Sequence, residues 1–153
     1  MKFLLALVLC SSAIFGFING QRQAPIVLYY IQHAETKLFI GQDAKLGKSR
    51  NMWGFRHLEG QTFGRLASYD TGKVLDISGG CWGTKIGTYR DNQAENQKFY
   101  FYEDGTIRSK CDTNKVIAPD KDKRGLILET FERSKLARYV FKRFRPGVDR
   151  PDE

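Results

Sequence analysis

The chain has 153 residues, 41% hydrophobic and 27% charged, with 25 Lys and Arg against 17 Asp and Glu. That suits one globular domain with an apolar core, and a basic surplus favours acidic partners. With two histidines and three cysteines, none at a metal-ligand spacing, and no phosphate loop or nucleophile elbow, we expect no metal, no cofactor and no catalytic residues.

The chain opens on Lys2 and an apolar run over residues 3–18, broken by Cys10-Ser11-Ser12 and Gly16, with small residues at Asn19-Gly20. A bilayer span needs about 20 apolar residues. The charged start and short apolar middle instead describe a secretory signal peptide over residues 1–20, cleaved after Gly20, with an uncleaved anchor as the alternative. The sequence has no second apolar run, so no transmembrane segment is expected, and the mature protein is expected to be secreted and extracellular. Nucleic acid is a poor partner for an exported chain. Only Lys2 of the charged residues lies in this leader, leaving 24 basic and 17 acidic residues, a net charge of +7.

Residues 21–146 are expected to form a single domain, in which three segments echo one another. "YYIQHAETKLFI" covers 29–40, "RLASYDTGKVLD" 65–76 and "IRSKCDTNKVIA" 107–118. Each holds an apolar strand, an acid (Glu35, Asp70, Asp112), a Thr, a Lys (Lys37, Lys73, Lys115) and a second apolar strand. Gly72 and Asn114 suit a hairpin turn needing positive φ. The first copy has neither, so its turn is expected to differ, and His33 is read as a surface residue of that hairpin. Aromatic residues two apart follow in each copy: Trp53 and Phe55, Phe99 and Phe101, Tyr139 and Phe141. That spacing puts both rings on one face of a strand. Trp53 is preferred to Phe63 as the counterpart of Phe99 because it leaves 63–67 as a strand. Helix formers over 129–138 sit where the other copies have a strand and a turn. From Pro146 no periodicity remains, and 147–153 reads as a flexible tail.

Each unit therefore spans about 40 residues and four short strands, with turn residues every 8–12 positions, as all-β folds require. Three units make an all-β, twelve-stranded, pseudo-threefold barrel in which closure hides the strand edges. Cys10 leaves with the leader. Cys81 and Cys111 remain as a candidate disulfide that would stabilise by roughly 3–4 kcal/mol; separate thiols or pairing between chains are the alternatives. Over residues 108–150, 13 Lys and Arg face 6 Asp and Glu. Within that stretch Arg138, Lys142, Arg143 and Arg145 form a candidate patch for acidic polymers such as acidic polysaccharide.

The middle unit, "TGKVLDISGG" followed by "IGTYRDNQAENQKFYFYEDGTIRS", resembles one repeat of the ricin B-chain type lectins, a β-trefoil family. That family's mark is Gln-x-Trp, often preceded by Asn and followed by an Asp-Gly-Thr-Ile turn and strand. Here it reads Asn96-Gln97-Lys98-Phe99, with Phe for Trp. The likeness is specific over 70–109, while units one and three match in hairpin and aromatic pattern only. It implies a β-trefoil and carbohydrate binding, galactose-type sugars among the glycans. It also implies a pocket of Asp76, the acid; Tyr89, the stacking ring; and the polar pair Asn96 and Gln97. Sugar chemistry agrees: an aromatic ring packs on the C–H face, and an acid with amides hydrogen-bonds the hydroxyls. Each residue also has a structural alternative. Asp76 could cap the Ser78-Gly79-Gly80 turn, Tyr89 could be a half-buried strand residue, and Gln97 could tie loops. The family pattern is departed from at Gly87, where many members have Gln, and at Val74 and Asp91, where many have half-cystines. Ala118 and Ile40 stand at the acid positions of units three and one, and no amide pair precedes Tyr139 or Trp53. One functional pocket, or a sugar-inactive trefoil serving as an extracellular matrix or interaction protein, are the resulting functional expectations.

Overall fold

The computed structural model describes residues 17–18, 21–22, 27–56, 61–134 and 137–149. The expected signal peptide and its cleavage point lie outside these, apart from Phe17–Ile18, which pairs with Gln21–Arg22 in a two-residue antiparallel ladder. Residues 150–153 of the expected tail also lie outside.

Twelve strands follow, four to a unit. Unit one holds β1 (Leu28–His33), β2 (Phe39–Ile40), β3 (Leu46–Gly47) and β4 (Met52–Arg56). Unit two holds β5 (Phe63–Ser68), β6 (Val74–Ser78), β7 (Lys85–Tyr89) and β8 (Phe99–Phe101). Unit three holds β9 (Ile107–Ser109), β10 (Lys115–Pro119), β11 (Leu126–Thr130) and β12 (Tyr139–Arg143). The first and last strands of the units build a barrel: β1 pairs with β4 and β12, β4 with β5, β5 with β8, and β8 with β9. A hydrogen bond from Tyr139 N–H to Gly105 O, 2.8 Å, joins unit three's own ends. Gly105 has φ +83, and a Cβ there would sit 2.8 Å from Tyr139 O, so the Asp-Gly turn is glycine for two reasons. The inner strands form three hairpins across one end. β7 pairs with β11, and Leu46 N–H donates to Arg124 O at 2.7 Å. This is the expected all-β trefoil.

The core repeats in threes, because equivalent strands meet one axis. Ile31, Leu66 and Ile107 are fully buried, as are Ile40, Leu75 and Ile117, and Leu46, Ile86 and Leu126 cap them. Each such side chain stabilises by about 1.5–3 kcal/mol on burial. Trp53, Phe99 and Tyr139 form the next layer, and Trp53 Nε1–H donates to Ile40 O at 2.9 Å. Their partners two residues on, Phe55, Phe101 and Phe141, close a triangle with centroids 4.7, 5.5 and 5.9 Å apart. The aromatic spacing thus marks the units as read, with Trp53 in the place of Phe99. The Cys81–Cys111 disulfide is present, with Cα atoms 5.5 Å apart and a sequence separation of 30. It ties the Gly80–Trp82 turn to the β9–β10 turn.

Several local readings change. Lys37, not a glycine, takes the left-handed turn position of unit one with φ 62, where unit two has Gly72 with φ 67. The bonds match: Lys37 N–H to His33 O, 3.0 Å, and Gly72 N–H to Ser68 O, 2.9 Å. Lys37 is held there by Nζ donating to Ala34 O, 2.6 Å, and by Gln32 Nε2 donating to Lys37 O, 2.7 Å. Units one and two therefore share a turn. Unit three differs, closing through Lys115 N–H to Asp112 O, 3.0 Å, and Asn114 is not among the described residues with positive φ. His33 is buried, against the surface reading. Its Nδ1 lies 2.8 Å from Thr36 Oγ1 and accepts from Thr36 N–H at 3.2 Å. Ser68 and Ser109, also buried, occupy the same place, so this is a turn-capping position of the repeat. The segment from Pro146, read as aperiodic, makes a turn: Val148 and Asp149 N–H both reach Arg145 O, and Arg145 N–H donates to Asp149 Oδ2 at 2.7 Å. Among the described residues after Glu129, the helix formers give a 3-10 turn, Phe131–Arg133.

Candidate functional site

Asp76 lies in β6, where alternation sends Leu75 and Ile77 to the core and Val74, Asp76 and Ser78 to the other face. The β6–β7 register sets Asp76 opposite Gly87 and Val74 opposite Tyr89. Asp76 and Tyr89 thus share one face of the hairpin. Gly87, a departure from the family pattern, puts no side chain across from the acid. The same register places Ala118 opposite Ile127 in unit three, with Glu129 where Tyr89 stands. In unit one the acid position is Gly41, one residue beyond Ile40, because Phe39 pairs with Gln32 as Val74 pairs with Ala67.

Asn96 and Gln97 sit on the 3-10 turn Glu95–Gln97, over the hairpin. Asp76 does not cap its own turn through its Oδ2. That oxygen accepts from Asn96 Nδ2 and Gln97 Nε2, each at 3.0 Å. Asn96 Nδ2 also donates to Ile77 O at 3.0 Å, and Gln97 Nε2 to Arg90 O at 2.9 Å. Gln97 Oε1 accepts from Asn92 N–H at 3.1 Å. Both amides therefore spend their hydrogens inside the protein. Gln97, 0% exposed, is a tie between loops, and Asp76 is 9% exposed. That leaves two acceptors, Asp76 Oδ1 and Asn96 Oδ1, neither of which takes a hydrogen bond from a described residue. On the same hairpin face as Asp76 is Tyr89, 49% exposed, with the Arg90 guanidinium 5.7 Å from the ring centroid. Two acceptors beside an aromatic face suit a ligand that donates from hydroxyls and offers an apolar C–H face.

The loop carrying the amides is held from below by Asp91, where many family members have a half-cystine. Its Oδ2 accepts from Arg56 Nη1 at 2.8 Å, and its Oδ1 lies 2.9 Å from Arg65 Nε and accepts from Gln93 N–H at 3.3 Å. Arg65 Nε meets no hydrogen-bond geometry there, so that contact is ionic rather than directional. Burial works to raise the Asp91 pKa, but the Arg56 hydrogen bond and the Arg65 charge outweigh it and hold the carboxyl below its ordinary value. Glu95 is likewise held low, by Lys110 first and then Lys98, whose Nζ atoms lie 2.5 and 2.6 Å from it.

Two open concavities lie away from Asp76. One, about 430 Å³, is lined by the disulfide, Trp82, Lys110, Asp112, Thr113 and Lys115. Trp82 is 94% exposed on the turn after β6, a feature the sequence reading passed over. The other, about 500 Å³, is lined by Tyr30, Phe39, Arg50, Lys142, Arg143, Arg145 and Asp149. It gathers three of the four residues of the candidate basic patch. Arg138 is elsewhere, donating Nη1 to Asp104 O at 2.8 Å. Arg50, from unit one, takes its place. Arg50 ends the short basic run "GKSR" of unit one, far in sequence from the basic stretch over 108–150.

No protein-family model and no curated protein matches the sequence. Solved structures do match. The designed threefold-symmetric protein ThreeFoil superposes with a TM-score of 0.62 at 13% identity, over 75% of this chain and 97% of that one. The C-terminal domain of an earthworm lectin, a mutant in complex with 6'-sialyllactose, gives 0.56 at 14% identity, over 77% and 99%. The Polyporus squamosus lectin, bound to Neu5Aca2-6Galb1-4GlcNAc, gives 0.60 at 18% identity over 76% of this chain, which spans 48% of that one. Such identities establish architecture alone, and the architecture is the all-β trefoil that these lectins also adopt.

Proposed function

We propose that this chain is a secreted, non-enzymatic carbohydrate-binding protein whose single sugar site is in the middle repeat. One observation carries the reading. The Asp76 carboxylate is fixed through one oxygen by two amides, opposite a glycine, with its other oxygen and Asn96 Oδ1 free of any hydrogen bond from a described residue, on the hairpin face that carries the exposed Tyr89 ring. Galactose-type sugars are the substrate class proposed by resemblance to the lectin family. A single shallow site gives weak binding, millimolar affinity corresponding to about −4 kcal/mol. Useful retention on a glycosylated surface then comes from linking copies or from a matrix role. The test is a glycan array with wild type, Asp76→Ala and Tyr89→Ala. Wild type binds a subset of neutral glycans and both variants lose it. Tyr89 is exposed, so its removal leaves folding intact and separates lost binding from lost structure. Equal binding by all three proteins, or none by wild type, overturns the reading.

A second reading is an extracellular matrix or interaction protein that engages acidic polymers by charge. The net charge of +7 outside the expected leader and the convergence of Lys142, Arg143 and Arg145 with Arg50 favour it.

A further inference from the structure

The cleft of about 500 Å³ beside β1 and β12 is built from both ends of the folded chain. Arg50 comes from the loop before β4, Lys142 and Arg143 from β12, and Arg145 and Asp149 from the turn that follows. Tyr30 and Phe39 form its floor, both buried. Lys142 pairs with Tyr30 and Arg143 with Tyr29 across the strands, which fixes their spacing. Phe39 has the Arg50 guanidinium 5.7 Å and the Lys142 ammonium 6.0 Å from its ring centroid. Among the described residues, Arg50, Lys142 and Arg143 have no carboxylate within ion-pair distance. Among the described residues the only acid lining the cleft is Asp149, whose Oδ2 accepts from Arg145 N–H at 2.7 Å and lies 4.0 Å from Arg145 Nε.

A second feature points independently to a ligand. The Tyr30 hydroxyl is buried and has no hydrogen-bond partner among the described residues. Native proteins rarely leave such a group unpaired, because it forfeits its bonds to water. Burial first, then the nearby Asp149 carboxylate, raises the Tyr30 pKa, so the hydroxyl is a protonated donor. A donor without an acceptor, under a ring of cations, is the complement of an oxyanion.

We propose that this cleft binds a sulfate or carboxylate group of an acidic polysaccharide, and that Asp149 occupies the anion position in the free chain until ligand displaces it. The sugar class is favoured over nucleic acid by the floor: Tyr30 and Phe39 are buried beneath the cations and offer no face for a stacking base. The cations also converge on one cleft instead of tracking a strand. This site stands apart from the Asp76 pocket, and either can fail without the other.

The probe is heparin, with the full chain, in low salt and at 0.15 M. Arg143→Glu with Arg145→Glu abolishes binding at 0.15 M, whereas Lys85→Glu with Lys121→Glu, an equal charge change at exposed positions elsewhere, retains it. Asp149→Asn binds about two- to fivefold tighter, the range for releasing one exposed ion pair. Tyr30→Phe, which removes only the hydroxyl, binds about tenfold weaker, as for a hydrogen bond to a charged group. Equal loss in both charge-reversed pairs overturns the site. So does an Asp149→Asn protein that binds no tighter, or a Tyr30→Phe protein unchanged from wild type. Duplex DNA bound as tightly as heparin, with the same variant pattern, overturns the saccharide assignment.

Discussion

Asp91→Asn isolates what holds the amide-bearing loop over Asp76. The substitution keeps shape and removes charge. In the native protein, Asp91 is 14% exposed and receives Arg56 Nη1 at 2.8 Å and Arg65 Nε at 2.9 Å. Those two arginines are direct cross-strand neighbours in β4 and β5. Without the carboxylate they are left as paired like charges, which is destabilising in itself. Breaking a buried pair costs about 3–5 kcal/mol. Arg56 is 47% exposed and water screens it, so about 2 kcal/mol is expected here. For a domain of this size that lowers Tm by about 5–10 °C. The pH dependence supplies the decisive control. The folded-state pKa of Asp91 lies below its unfolded value, so its contribution is complete above the unfolded pKa of 3.8 and disappears as pH falls through the folded one. Wild type and Asp91→Asn, followed by thermal unfolding from pH 7 to pH 2, should differ at neutral pH and converge in acid. Equal Tm at pH 7, or a gap undiminished at pH 2, would refute the assignment of Asp91 as the loop's anchor.

Lys37→Gly should stabilise the protein by up to about 1 kcal/mol, read by chemical denaturation, because φ 62 costs a lysine what it does not cost glycine; loss of the Nζ bond to Ala34 O trims the gain. Cys81→Ser with Cys111→Ser should lose about 3 kcal/mol, and reductant should bring the wild-type Tm down to that of the double variant. Gln97→Ala should cost about 2–4 kcal/mol by denaturation, since it orphans Arg90 O, Asn92 N–H and one of the bonds to Asp76. Asn96→Ala, at a half-buried position, should cost about 1 kcal/mol while removing sugar binding on the same array.

What the sequence made legible follows periodicity. Trp53, Phe99 and Tyr139 with their partners two residues on fix the strand phase in each unit, because a ring of that size has only the barrel interior to enter. The first hairpin was harder. Aligning Lys37 with Lys73 assumes that like residues keep like places, whereas Lys37 takes Gly72's left-handed position and shifts every following residue by one. That shift is why the acid position of unit one falls on Gly41. The polar position shared by His33, Ser68 and Ser109 was hidden for a related reason: imidazole and hydroxyl look unlike in sequence, but each accepts a turn N–H, three residues on in units one and two and two residues on in unit three. Contacts between distant segments were beyond reach. Nothing local in Asp91 names Arg56 and Arg65, and nothing in Arg50 names Lys142 and Arg143, which line the same cleft.

The amide pair has a different meaning once units two and three are compared. In each, a 3-10 turn before the last strand must be fastened to the outer face of the hairpin. Unit two does this with polar groups: Asp76 Oδ2 bonded to Asn96 and Gln97. Unit three does it with apolar ones. Val116 and Ala118, on the face equivalent to Val74 and Asp76, form a small buried cluster with Ala137, sealed by Phe131 from the equivalent turn. Each solution completes the fold. A buried polar network is tolerable only when each member is satisfied, and removing Asp76 leaves the buried Gln97 amide and the half-buried Asn96 amide each short of an acceptor. Asn96 and Gln97 therefore persist for structural reasons wherever Asp76 does, with or without a ligand. The residues that speak for sugar are the ones the fastening does not need: Gly87, which puts no side chain across from the acid, the unbonded oxygens of Asp76 and Asn96, and the exposed ring of Tyr89. Tyr89→Ala, which leaves the fastening whole, is for that reason the variant on which the carbohydrate reading stands or falls.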